Sequence, residues 1–269
     1  MMRFFILMMV GFVVTACQPQ TLRMVHAPPL VAENPQQIRP LAMRAESYSK
    51  AHGAPMNLSK YDFFTANSFG RNWLKQRNHK VITIGHPKDC ATFNGRWRHG
   101  NLFEAMERSM NQCLNRVKVF SEITGKKCGC RYAAINNAIL MKPEELPFRV
   151  NVPAIALVKD AKGRKEILGY ASTTGRTGKN QAMNFHTSSG RKVCDGHYNI
   201  GTIAFKGDAY LNCFDGRIKG PAVFKVHGFR EGISYGTALV NAGENKLILV
   251  YGLPTKEFEK RRSELLGEW

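Results

Sequence analysis

The sequence predicts an α+β chain dominated by antiparallel sheet, stapled by disulfides, with one main amphipathic helix and a short C-terminal helix. Three observations predict it. β-Branched and aromatic runs recur after Pro147, separated by turn residues. A single long stretch, Asn101 to Val119, repeats its apolar residues at helical spacing. Seven cysteines are present, and an even six remain once the first is set aside. The 269 residues suit one large domain or two small ones. An apolar share of 43%, with 16 Phe, 8 Tyr and 3 Trp, supplies a core and excludes a disordered chain.

Residues 1–16 read as an export signal. Arg3 is the only charge and lies at the amino end. Phe4 to Ala16 is apolar apart from Gly11 and Thr15, too short for the roughly 20 residues of a spanning helix and right for a signal core. The run ends in Val14-Thr15-Ala16-Cys17. This resembles the lipobox of bacterial lipoproteins: an aliphatic residue, two small residues that let the peptidase reach the backbone, then cysteine. The resemblance implies cleavage before Cys17, diacylglycerol on its thiol and a membrane anchor. It also implies the outer membrane of the cell envelope, facing periplasm or exterior, because Gln18 stands where an aspartate would retain a lipoprotein in the inner membrane. Each buried methylene of the acyl chains adds about 0.8 kcal/mol to the anchor.

Residues 17–55 then read as a tether. Six of the twelve prolines (19, 28, 29, 35, 40 and 55) fall there. Proline fixes φ and removes a donor, which suits an extended spacer. Leu41 to Lys50 is a candidate short helix within it.

A disulfide-bonded α+β region is expected over 56–146. With Cys17 lipidated, Cys90, Cys113, Cys128, Cys130, Cys194 and Cys213 remain, and in an exported chain they point to disulfides. Cys194 and Cys213 are expected to close one loop of the later half. Cys128 and Cys130 do not join each other, because so small a ring is strained. Cys113–Cys130 with Cys90–Cys128 is the preferred arrangement of the other four. A metal site at these four has poor spacing for paired knuckles, and no metal or cofactor is expected. Lys80 to Gly85 reads as a strand. In the 101–119 helix, Glu104 and Glu107 near the start and Arg116 and Lys118 near the end complement the dipole. Thr124 to Lys127 is a turn, and Cys130 to Leu140 a strand. Helix, cysteine, glycine-bearing turn, cysteine and hydrophobic strand (Ala105, Cys113, Gly125, Cys130, Ala133 to Ile135) resemble a small uncharacterised secreted disulfide domain over residues 101–140. That resemblance implies no chemistry and adds only to the case for pairing Cys113 with Cys130.

Residues 147–269 read as an antiparallel β region with a terminal helix. Val152 to Lys159 and Glu166 to Ser172 flank Asp160-Ala161-Lys162-Gly163, a hairpin turn. Three glycine-led segments, at Gly201, Gly220 and Gly236, look alike. With turns at Asp215-Gly216 and Glu244-Asn245 and a last strand at Lys246 to Tyr251, they suggest a meander, as a curved sheet or small barrel-like sandwich. Residues 172–192 are basic and rich in Gly, Ser and Thr, and read as a loop. Pro254 to Leu266 closes the chain as a charged helix with Phe258, Leu265 and Leu266 on a narrow apolar stripe.

Few residues carry chemistry. H-E-x-x-H, G-x-S-x-G and EF-hand patterns are absent. Thr173 to Asn180 fails as a phosphate loop, with Thr173 in place of the first glycine and Asn180 in place of Ser/Thr. Asp89-Cys90-Ala91 resembles the Asp-Cys-Ser of cell-wall cysteine peptidases, for which His197 or His227 would have to serve as base. The charge is the strongest remaining signal: 39 Lys+Arg against 20 Asp+Glu, a net +19, attracts polyanions and anionic surfaces. The candidate contacts are Arg71, Lys75, Arg77 and Lys80 beside Trp73, Arg96 and Arg98 beside Trp97, and Arg176, Lys179, Arg191 and Lys192 in the 172–192 loop. The expectation is a non-enzymatic binding or structural lipoprotein, held to the membrane and engaging an anionic envelope polymer or envelope protein, with nucleic acid disfavoured. Its alternatives are a peptidase or amidase using Cys90 and a metal-binding protein.

Overall fold

The computed structural model describes residues 21–174, 178–201, 205–230 and 233–267. The expected signal segment, Cys17, Arg176 and half of the Gly201-led segment therefore lie outside the described residues.

The first part of the chain builds a seven-stranded sheet between helices. Its elements are β1 (Arg23–Met24), β2 (Val31–Ala32), α1 (Ile38–Lys50), β3 (Ala54–Pro55), α2 (Asp62–Thr65), α3 (Ser68–Leu74), β4 (Val81–His86), β5 (Phe93–Arg96), α4 (Leu102–Thr124), β6 (Gly129–Ile135) and β7 (Ala138–Ile139). The strand order is β3-β1-β7-β6-β4-β5, with β2 on β6. Alternation along β4 separates two cores. Val81 packs with Met106, Met110 and Cys113 of α4 and with Leu41 and Ala45 of α1. Ile82 and Ile84 pack on the other face with Phe63, Phe64 and Trp73. Asn101 caps α4 by accepting from the Glu104 N–H at 2.8 Å. Gly125 ends it at φ +70, a left-handed conformation glycine adopts without strain.

The tether expectation is corrected here for residues 21–55. Val25, Leu30, Ala32, Ile38, Leu41, Ala42 and Ala45 are buried. The prolines do not prevent this, because Pro40 sits in the first turn of α1, where its missing N–H has no intrahelical partner to lose. The expected helix is present and three residues longer at its start.

The second part is a closed eight-stranded antiparallel barrel. It runs β8 (Val150–Asp160), β9 (Gly163–Thr173), β10 (Gly178–Thr187), β11 (Lys192–Ile200), β12 (Lys206–Cys213), β13 (Ile218–Arg230), β14 (Ile233–Ala242) and β15 (Asn245–Tyr251), and β15 returns to pair with β8. A meander was legible in the sequence; its closure was not. β13 alternates strictly from Ile218 to Lys225, inward residues buried and outward ones exposed. α5 (Thr255–Leu266) lies outside the barrel, where Phe258 and Leu265 cover Ile155, Leu157, Ile248 and Val250.

A second correction concerns 172–192. Its middle, Gly178–Thr187, is β10, which pairs with both β9 and β11. Met183 and Phe185 point into the barrel at 3% and 0% exposure, an alternation that the surrounding Gly, Ser and Thr obscured. The helix content also exceeds one main helix and a terminal one, since α1 runs 13 residues.

The disulfides are Cys90–Cys128, Cys113–Cys130 and Cys194–Cys213. The second ties α4 to β6, and the first ties the segment after β4 to the residue just before β6. The third joins directly opposed residues of β11 and β12.

Candidate functional site

The packed core fills only the lower part of the barrel. Leu211, Val240 and Leu247 at 0% exposure close it at the hairpin end, together with the Cys194–Cys213 bridge. Toward the other end, Tyr198, Phe224 and Tyr251 stack in sequence. Tyr198 and Phe224 lie 5.4 Å apart with rings 12° from parallel, and Phe224 and Tyr251 lie 4.6 Å apart at 29°. Above them opens a cavity of about 640 Å³, within the range usual for small-molecule sites.

The first part of the chain roofs this cavity. α3 contributes Ser68, Phe69 and Asn72; β5 contributes Phe93, Asn94, Gly95 and Arg96, followed by Trp97; α4 contributes Gln112 and Arg116. Several bonds fix roof to barrel. The Asn67 amide donates to the Thr174 carbonyl at 3.0 Å, and the Asn151 N–H to the Ala91 carbonyl at 2.6 Å. Phe120 at the end of α4 meets Tyr170 of β9 edge-on at 5.1 Å. The cavity therefore lies between an aromatic floor in the barrel and a mixed aromatic and basic roof.

The lining has a definite electrostatic character. It contains two guanidinium groups and no carboxylate among the described residues. Arg116 is positioned by donating from Nη1 to the Phe93 carbonyl at 3.0 Å. Burial, with a smaller push from Arg108, weakens the charged form of Arg96. The Tyr198 hydroxyl and Thr173 Oγ1 are 2.5 Å apart. Burial pushes this phenol's pKa up more than the Thr173 bond lowers it, so the group stays neutral and acts by hydrogen bonding. Asn94 is 2% exposed, and neither atom of its amide has a partner among the described residues. The same holds for Oγ1 of Thr92, 3% exposed and also on the lining. Buried polar atoms without partners cost about 1–3 kcal/mol each.

The basic candidates are dispersed. Arg71, Lys75 and Arg77 on and after α3, Arg98 after β5, and Lys179, Arg191 and Lys192 on the barrel are all exposed. Lys179 and Lys192 occupy opposite ends of the β10–β11 pair, and Lys192 is matched by Asp195 at 3.1 Å. Arg71 donates to the Thr65 and Ala66 carbonyls. Lys80 is not a surface residue. It is 2% exposed, with its ammonium 4.5 Å from the Trp73 ring centroid and bonded to the Leu74 carbonyl. Among the described candidates, only Arg96 lines the cavity.

The cysteine readings are also settled in part. Cys90 is 1% exposed and bonded to Cys128, so it holds no thiolate to act as nucleophile. His197 stacks on Tyr210, and His227 pairs with the Thr237 hydroxyl at 3.0 Å. Among the described residues, no group of three His, Cys, Asp or Glu side chains is placed to hold a metal ion, and no helix is long and apolar enough to cross a membrane.

The sequence offered little warning of Asn94, Arg116 or Tyr198 as neighbours, because they come from β5, α4 and β11 and meet only when the roof docks on the barrel. Compared with protein-family models, curated proteins and solved structures, the chain matches none.

Proposed function

We propose that this chain is an exported lipoprotein, anchored through Cys17 in the outer membrane, that binds a small ligand in the chamber between its barrel and its α/β part. The binding is non-enzymatic. One observation carries the reading: a closed barrel that leaves a cavity of about 640 Å³ above an aromatic floor instead of packing it shut. Interiors are normally filled to crystal-like density, so a chamber this large in a barrel pinned by a disulfide has a use. The six cysteines paired as Cys90–Cys128, Cys113–Cys130 and Cys194–Cys213 accord with an oxidising compartment.

Intact and native mass spectrometry of mature protein taken from membranes tests this reading. The expected species starts at an acylated Cys17, has six oxidised cysteines, and carries a noncovalent adduct that Ala171→Trp excludes by filling the chamber. A full-length, unacylated chain with reduced thiols rejects the export half. An adduct that Ala171→Trp leaves in place rejects the chamber.

A second reading keeps the anionic envelope polymer as partner, supported by the exposed Arg71, Lys75, Arg77 and Arg98 on one part of the chain. Retention on a sulfated resin is then expected to fall steeply with salt, and to fall further in a variant with all four changed to Gln. Retention indifferent to salt excludes it.

A further inference from the structure

The cavity's lining specifies more than a binding site; this inference rests on the chamber reading above and adds the ligand's class. Three features converge. The floor is a run of three stacked rings, Tyr198, Phe224 and Tyr251, with neighbouring planes 12° and 29° apart. Phe69 and Trp97 line the cavity from the roof, 6.1 Å apart. A flat guest between floor and roof stacks on both sides, whereas a flexible chain uses only the apolar area of these rings. The roof also carries the cavity's charge. Among the described residues, Arg96 makes no ion pair or side-chain hydrogen bond, and no acid on the lining balances it. Beside it on the same strand, the Asn94 amide is buried with both its donor and its acceptor unmet. An acidic group brings oxygens for both the guanidinium and the amide N–H.

We propose that the chamber binds an anionic aromatic compound, its ring system stacked on Tyr198, Phe224 and Tyr251 and its acid group held by Arg96 and Asn94. Ligands of this class are set by shape and sign together. The floor selects planarity, Arg96 selects negative charge, and the Asn94 carbonyl rewards a hydroxyl or N–H next to the acid. Arg116, fixed by its bond to the Phe93 carbonyl, adds positive potential from α4.

Calorimetric titration of the intact, disulfide-bonded protein with four probes of matched size tests this: 2-naphthoate, 2-naphthamide, 2-naphthylmethylammonium and decanoate. The expected order places 2-naphthoate at least tenfold tighter than each of the other three. Arg96→Met is expected to abolish most of the preference for the acid over the amide while leaving amide binding in place, and Asn94→Leu to weaken the acid several-fold. Circular dichroism and melting of each variant identify any that fail to fold. Arg96→Lys, which keeps the charge without the fork, is the fallback and is expected to retain part of the preference. If acid and amide bind equally, the head-group assignment is overturned but the chamber stands. If decanoate matches 2-naphthoate, the aromatic assignment is overturned. If the ammonium probe binds best, the charge assignment is overturned. If no probe binds wild type while Ala171→Trp carries the same native adduct as wild type, the chamber reading itself falls.

Discussion

At the scale of single residues, the basic side chains divide by environment. Lys80 is buried against Trp73, and desolvation pushes its pKa down to about 8 from the ordinary 10.5. The folded protein thus holds that proton less tightly than the unfolded chain. Between about pH 8 and 10.5 the unfolded state binds more protons, so stability rises with pH there. Urea midpoints at pH 7.5 and pH 10 are expected to show this rise in wild type, worth no more than about 3 kcal/mol, and Lys80→Met is expected to remove Lys80's share of it. Arg131 shows the opposite case. It is 4% exposed and bonds to Glu145 at 2.9 Å. Burial raises the Glu145 pKa, but the Lys142 N–H and Arg131 outweigh it, and the net value lies below the ordinary one. A lowered carboxylate pKa gives stability above the carboxylate range that is lost as pH falls through it. Glu145→Gln is expected to cost about 1–3 kcal/mol at pH 7, discounted because the carboxylate is one-third exposed. At pH 3 variant and wild type should melt together. Cysteine pairing was legible at this scale because the residues are few and ring strain forbids one option. The burial of Lys80 was not, because it depends on Trp73 turning back over β4 from a separate helix. Asn94 was equally hidden: nothing around it in sequence distinguishes a strand asparagine that ends under a helix from one that faces water.

At the scale of elements, most helices and strands were legible and their surroundings were not. β8 and β15 read as continuous apolar runs because both their faces are covered, one by the barrel interior and one by α5. Periodicity cannot announce this, since a strand buried twice has no polar phase. α5 is therefore a structural lid on the outer wall, and Phe258, at 0% exposure, is its anchor. Phe258→Ala is expected to lower stability by about 3–5 kcal/mol, read as a shifted denaturation midpoint, and to increase binding of a hydrophobic dye. β10 escaped detection because Met183 and Phe185 are isolated among small polar residues. Elsewhere in the barrel, β14 carries a tight constraint at Gly236, where a Cβ would collide with the Lys225 carbonyl and the Tyr251 hydroxyl. Gly236→Ala is expected to cost about 1–3 kcal/mol through backbone displacement. Because Tyr251 belongs to the cavity floor, the same change should weaken ligand uptake, checked by repeating the naphthoate titration.

At the scale of the whole molecule, the sequence supported an antiparallel, disulfide-stapled chain with α and β parts, and the structure adds the closure that makes a chamber. Closure depends on β8 meeting β15, residues separated by most of the second half, so no local signal reports it. The disulfides are distributed accordingly, two in the first part and one across neighbouring strands of the barrel. Replacing Cys194 and Cys213 by alanine is expected to remove about 3 kcal/mol, the loop-closure value for 19 residues of separation. The β-sheet circular dichroism should survive, since hydrogen-bonded ladders continue on either side. The same layout leaves little for another chain to grasp. A closed barrel has no rim strand. In the first sheet, β5 faces the chamber at one border, while β3 at the other is two residues long and includes Pro55. Fibril growth needs a bare, straight donor–acceptor ledge on which a stranger can be templated; among the described residues none is on offer, so copies of this protein crowded together are expected to stay separate.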